Sequence, residues 1–175
     1  VYPHTNATGG YGIWLLGEAP LRPVGIDPCL SAAGLASRDR YHPPGLPPTP
    51  PRGPLPALTV PGTIRCLAAP FAQPNARSKP IPLARLLAPA VALAREGVPT
   101  TAGQEALTRQ KLEGLQDIPG FAETFLHQNL AVPQRGERLI QRRLGDTLEQ
   151  LGRAGLSDFY QGDVARSLAR DLQAL

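Results

Sequence analysis

"YGIWLLGEA", residues 11–19, decides how the rest of the chain is read. Ile13, Trp14, Leu15 and Leu16 stand side by side instead of alternating with polar residues, which suits a strand buried on both faces. "LRPVGID" at residues 21–27 reads as its short partner across a turn near Glu18 to Pro20, giving a hairpin. Two adjacent strands alone make a marginal sheet, so the run from Ile13 to Leu16 calls for covering partners that this chain does not supply. A missing half is the economical explanation.

Downstream the pattern turns helical. "PGTIRCLAAPFAQ" from Pro61 carries proline where helices start. "LARLLAPAVALAREG" sets Leu83, Leu87, Ala90, Val91 and Ala94 on one stripe, with Arg85, Arg95 and Glu96 facing elsewhere and Gly97 as a stop. Pro89 is expected to kink that helix or to begin a second one. Further helices are expected over 102–113, 118–127, 138–153 and 161–175, the last with Val164, Leu168 and Leu172 recurring every four residues. Strands first and helices after give an α+β domain, or part of one. Between them, at residues 42–56, proline takes about half the positions. Lacking N–H donors and fixed in φ, such a segment runs as an exposed polyproline surface loop.

Composition narrows the function. The chain has 175 residues, 42% of them hydrophobic, which is enough for a real core. Its net charge of +4 is almost all arginine, since Lys79 and Lys111 are the only lysines. The basic residues are scattered, with Arg142 and Arg143 the tightest pair, whereas a nucleic-acid groove gathers charge on one face with aromatics between. No nucleic-acid partner is expected. The longest apolar run, "LLAPAVALA" at 86–94, falls well short of the roughly 20 residues a membrane helix needs. The first residue is not Met, so a leader upstream and the compartment both stay open.

Catalytic constellations are scarce. His4, His42 and His127 form no metal-binding pair, and Cys29 and Cys66 are too far apart to make a metal motif, so no metal or cofactor is expected. "TGGYG" at 8–12 precedes a strand instead of following one, which makes it a tight turn or a close backbone approach, not a phosphate loop. Asp158 and Asp163 flank "FYQG" as capping charges for the final helices. Thr100 and Thr101 are internal, so neither has the free α-amine that a threonine nucleophile uses as its base; capping of the next helix is the reading.

Four stretches in order then resemble one family, the gamma-glutamyltransferases and their acylase-like relatives. "VYPHTNATGGYGIWLL" is similar to the family's Gly-rich segment, with Trp14 where Phe is usual. "LTVPGT" at 58–63 resembles its Val-Pro-Gly-Thr helix start. "IPLARLLAPAVALAREGVPTT" at 81–101 is the most specific match, and "LGDTLEQLGRAGLSDFYQGDVARSLARDL" at 144–172 follows at the expected place. The resemblance implies an N-terminal nucleophile hydrolase, made as one precursor that cuts itself into a large and a small subunit folded together as a four-layered αββα sandwich. This piece would be its mostly helical part with an N-terminal hairpin. The new N-terminal threonine of the small subunit attacks the γ-glutamyl amide of substrates such as glutathione, and the acyl group passes to water or an acceptor amino acid. On that resemblance residues 1–175 form an internal part of the large subunit, inactive alone, whose partner is the small subunit carrying the threonine.

One departure matters. The family commonly carries Asp-x-Arg-Glu after the second strand, whose arginine holds the α-carboxylate of the γ-glutamyl group. A planar guanidinium suits that task because it binds a carboxylate bidentately. Here "IDPCLSAAGLASRDRY" at 26–41 places Cys29 at the arginine and Leu30 at the glutamate. Either the enzyme takes an acyl group without a free α-carboxylate, or it is no longer a transpeptidase, or Arg38 substitutes. The resemblance thus implies a gamma-glutamyltransferase-like amide hydrolase or acyl transferase with altered recognition. Its alternatives are a cephalosporin-acylase-like amidase and a non-catalytic relative acting as a binding module.

Overall fold

The computed structural model describes residues 7–10, 12–17, 22–27, 32, 34, 36–41, 45, 60–72 and 81–174. Cys29, His4, His42 and, apart from Gly45, the proline-rich stretch at 42–56 lie outside the described residues. In chain order the elements are β1 (Trp14–Leu16), β2 (Val24–Ile26), α1 (Arg38–Tyr41), α2 (Thr63–Ala68) with a 3-10 turn at Ala69–Ala72, α3 (Leu83–Glu96) and β3 (Val98–Pro99). They continue with α4 (Ala102–Leu115), α5 (Phe121–Phe125), β4 (Arg138–Leu139), α6 (Arg142–Ala154), α7 (Asp158–Gln161) and α8 (Asp163–Gln173). The chain divides into two compact units, one of Pro3–Ala33, Thr59–Leu87 and Glu149–Leu175, the other of Val1–Tyr2, Gly34–Leu58 and Ala88–Leu148.

The first unit holds the expected hairpin. β1 and β2 pair antiparallel, with Trp14 opposite Ile26 and Leu16 opposite Val24. Burial on both faces is not what the strand shows: Ile13 is 71% and Leu15 75% exposed, because among the described residues no layer lies over the pair. Beside it Ile64, Leu87, Leu151 and Phe159 form a core, with Leu83, Leu156 and Val164 packed against it. Leu151 is fully excluded from water, and burial of each such side chain contributes about 1.5–3 kcal/mol. Of the stripe expected on α8, Val164 turns inward while Leu168 and Leu172 are exposed.

The second unit is built on α4 and the short pair β3–β4, where Val98 faces Leu139 and Pro99 faces Arg138. This corrects the expected helix over 138–153, which begins only at Arg142. The reason is visible in burial: Leu139 is buried between exposed Arg138 and Ile140, the alternation of a strand. The helix expected over 118–127 shortens to Phe121–Phe125, starting after Gly120 at φ +81°. The one expected from residue 161 starts at Asp163, separated from α7 by Gly162.

α3 runs unbroken through Pro89, so no second helix begins there. Leu83, Leu87, Val91 and Ala94 do turn inward, but Ala90 is exposed. Gly97 stops the helix as expected: its N–H returns to the Leu93 carbonyl at 2.9 Å with φ +89°, a left-handed conformation that side-chain-bearing residues resist.

Candidate functional site

Cys29, which the resemblance puts at the family's carboxylate-binding position, comes two residues after the hairpin's last described residue in the sequence, so the site is approached from what holds the hairpin. At the N-terminal side, Ala7 to Gly10 close a turn through the Gly10 N–H and the Ala7 carbonyl at 3.1 Å. The Gly10 carbonyl then accepts from the N–H groups of Gly62 at 2.8 Å and Thr63 at 2.9 Å, the first donors of α2. A Cβ on residue 10 would lie 3.3 Å from the Ala7 oxygen and 3.6 Å from Thr63 Oγ1, so a side chain there would press on the turn and glycine is the easiest fit. This is the backbone approach expected of "TGGYG". It also removes a phosphate reading on physical grounds, because the helix donors an anion would use already serve Gly10.

Two further bonds fix the same corner. The Tyr160 hydroxyl donates to the Pro61 carbonyl at 2.7 Å and accepts from the Arg65 N–H at 3.0 Å. Cys66 donates its thiol hydrogen to the Gly12 carbonyl, Sγ lying 3.1 Å from the oxygen. Burial pushes the Cys66 thiol above its ordinary pKa, and the negative charge of Asp27 adds to the shift. A thiol so held is a packing and hydrogen-bonding group, not a thiolate nucleophile. Asp27, the last described residue of the hairpin, stands two positions before Cys29 in the sequence. Cys29 itself lies outside the described residues. Arg38 is described: it opens α1 with its side chain exposed.

The other flagged residues prove to be structural. Thr101 Oγ1 accepts from the Gln104 N–H at 3.1 Å and caps α4. Asp158 accepts from the N–H groups of Asp163 and Val164 at 3.0 and 3.2 Å and so caps α8. A Cβ on Gly162 would overlap that carboxylate, which explains the glycine in "FYQG". Asp163 pairs with Arg166 at 2.6 Å. Sequence reasoning missed Tyr160 altogether; its signal was the block resemblance, which marks the position without giving the partner.

A separate open cleft of about 580 Å³ lies in the second unit, between α5 and the first turn of α6. On its rim Arg143 pairs with Glu123 at 2.9 Å. His127 Nε2 meets Glu137 Oε2 at 2.8 Å, and this contact, helped by the Gln134 N–H, holds the Glu137 carboxyl below its ordinary pKa. The cleft offers cations and an apolar wall but no activated nucleophile. Among the described residues no three His, Cys, Asp or Glu side chains gather to hold a metal, and no helix is long and apolar enough to cross a membrane.

The comparison with protein families settles what this scaffold is, since the gamma-glutamyltranspeptidase family model matches residues 1–175. The chain belongs to the gamma-glutamyltranspeptidase family. The oxamate amidohydrolase proenzyme of Klebsiella pneumoniae is 41% identical over 176 residues, covering 100% of this chain and 33% of that protein. The glutathione hydrolase-like YwrD proenzyme of Bacillus subtilis is 33% identical, covering 99% and 32%. The chain therefore spans about a third of the length of these gamma-glutamyltranspeptidase-like relatives. Helicobacter pylori gamma-glutamyltranspeptidase shares the fold at a TM-score of 0.85 and 24% identity, over 98% of this chain and 49% of that one. The fold is α+β, part of the four-layered sandwich of the N-terminal nucleophile hydrolases, mostly helical with the small antiparallel hairpin.

Proposed function

We propose that this chain is the large-subunit portion of an amide hydrolase of the gamma-glutamyltranspeptidase family that has lost γ-glutamyl recognition and acts on a short-chain amide. What supports the reading is that Cys29 stands where the resemblance puts the family's carboxylate-binding arginine. A thiol cannot form the bidentate, charge-assisted contact that a guanidinium makes with a carboxylate. Likeness to a relative named oxamate amidohydrolase supports the same direction.

The chemistry needs a threonine at the start of a partner subunit, which this chain does not contribute. Its hydroxyl adds to the amide carbonyl while its own α-amine takes the proton; the C–N bond breaks, the amine leaves with that proton, and water hydrolyses the acyl ester. The role of the present chain is to hold and read the acyl group. Arg38, exposed on α1, is the candidate cation for any carboxylate the substrate carries.

The full-length protein tests this. On a denaturing gel the precursor is expected to resolve into two bands, and a persistent single band counts against self-cleavage. Oxamate is expected to be hydrolysed faster than a chromogenic γ-glutamyl anilide, and the reverse order overturns the altered specificity. Cys29→Arg is expected to raise γ-glutamyl turnover by about 10–100-fold, the value of a hydrogen bond to a charged group. No gain would mean that the missing arginine is not the cause.

A further inference from the structure

The start of α2 is closed by groups from remote parts of the chain. Its N-cap residue is Gly62, which has no side chain to offer, and no side-chain cap bond is made there. The first N–H groups of a helix lack partners within it and need acceptors from elsewhere. Here the Gly10 carbonyl serves Gly62 and Thr63, and the Tyr160 hydroxyl serves Arg65. The same hydroxyl donates to the Pro61 carbonyl, so one oxygen grips both sides of the helix start. The phenol ring meets that of its chain neighbour Phe159 edge-on at 5.1 Å, and Phe159 belongs to the buried core.

From that helix start the hairpin is hung. Gly10 is tied to residues 62 and 63, Gly12 to Cys66, and two residues later β1 begins and pairs with β2 as far as Ile26. We propose that Tyr160 is a positioning residue for the acyl-reading side of the enzyme: by fixing the start of α2 its hydroxyl sets the hairpin and the position of Asp27. The proposal deepens the functional reading above and rests on it for its kinetic consequence. Because Tyr160 is partly exposed, water replaces some of the lost bonding when the oxygen is removed, but water does not hold the backbone in one place. Position is therefore expected to suffer more than stability.

The test is Tyr160→Phe in the full-length protein, read in two ways. Hydrogen exchange is expected to quicken by about fivefold to tenfold over β1, β2 and the first turn of α2, as loss of one net hydrogen bond predicts. The β3–β4 pair is expected to stay unchanged. Equal exchange in the hairpin overturns the proposal whatever the enzyme does. With oxamate, KM is expected to rise by about fivefold while kcat stays within about twofold. Leu83→Ala is the control, since it loosens the same core without touching the hydroxyl; a KM rise as large there makes Tyr160 merely structural and also overturns the proposal. Absence of hydrolysis by the unaltered protein sinks the functional reading, and the exchange result still decides the positioning device. Should Tyr160→Phe fail to fold, Gly10→Ala loads the other end of the same junction and is expected to give the same exchange pattern; a uniform change across both units overturns the proposal.

Discussion

α4 and α2 meet the same requirement at their first turns by opposite means. α4 is capped from within: Thr101, extended at φ −82° and ψ 159°, accepts from an N–H three residues on, and Glu105 adds negative charge to the first turn. α2 carries a glycine at the same position and borrows its acceptors from residue 10 and residue 160. A helix capped from within records only its own boundary. One capped from afar joins three stretches of chain, and whatever those stretches support inherits the junction's geometry. Here they support the β1–β2 hairpin.

The largest effect expected from sharpening that contrast is at Gly97, where a local stop signal meets a remote obstacle. A Cβ there would lie 2.9 Å from Ile140 Cγ1, 3.1 Å from Arg138 Cβ and 3.2 Å from the Leu139 carbonyl, besides being forced to positive φ. Gly155 ends α6 in the same conformation, φ +92°, with nothing nearer than 4.0 Å. Gly155→Ala is expected to cost about 1–2 kcal/mol from the left-handed backbone alone. Gly97→Ala is expected to cost about 1–3 kcal/mol more from overpacking. Denaturant midpoints measure both, and equal losses would show that crowding by β4 is not felt.

The next effect is smaller and separates the two caps directly. Thr101→Ala is expected to cost about 1 kcal/mol, the usual value of an N-cap, with exchange faster only in the first turn of α4. Disturbance reaching β3 or the loop before β4 would show that the local cap is not local.

The same distinction explains what the sequence disclosed. The hairpin, the stop at Gly97, the Thr101 cap and the Asp158 cap all join residues near each other in the chain, and periodicity and turn chemistry exposed them. The β3–β4 pair was hidden because Val98 and Arg138 are forty positions apart and each strand has only two residues, too few for a period. The exposure of Ile13 and Leu15 fits the reading that their strand wants cover which the described residues do not supply: a strand's own residues record that it wants burial, not what provides it. Tyr160 was hidden for the same reason: a tyrosine beside a core phenylalanine looks like packing until its hydroxyl is found on Pro61 and Arg65. Cys29 entered only through family resemblance, and it lies outside the described residues.

The smallest expected effect concerns Asp158, whose cap lies between the two cases: local in sequence, yet possible only because Gly162 leaves room for the carboxylate. Burial alone pushes this carboxyl up, but the N–H groups of Val164 and Asp163 outweigh it and hold it below the ordinary value of 3.8. A depressed pKa means that the folded state prefers the charged form. The contribution is therefore fully present above the ordinary value and is lost as pH falls through the lower folded value. Stability measured across that acid range is expected to fall less steeply in Asp158→Asn, which keeps an acceptor oxygen but cannot titrate. The Asp163–Arg166 pair contributes little to the difference, because both side chains are largely exposed and screened. An unchanged acid slope would show that α8 does not depend on the charged cap, and that its start, like that of α2, is held from elsewhere.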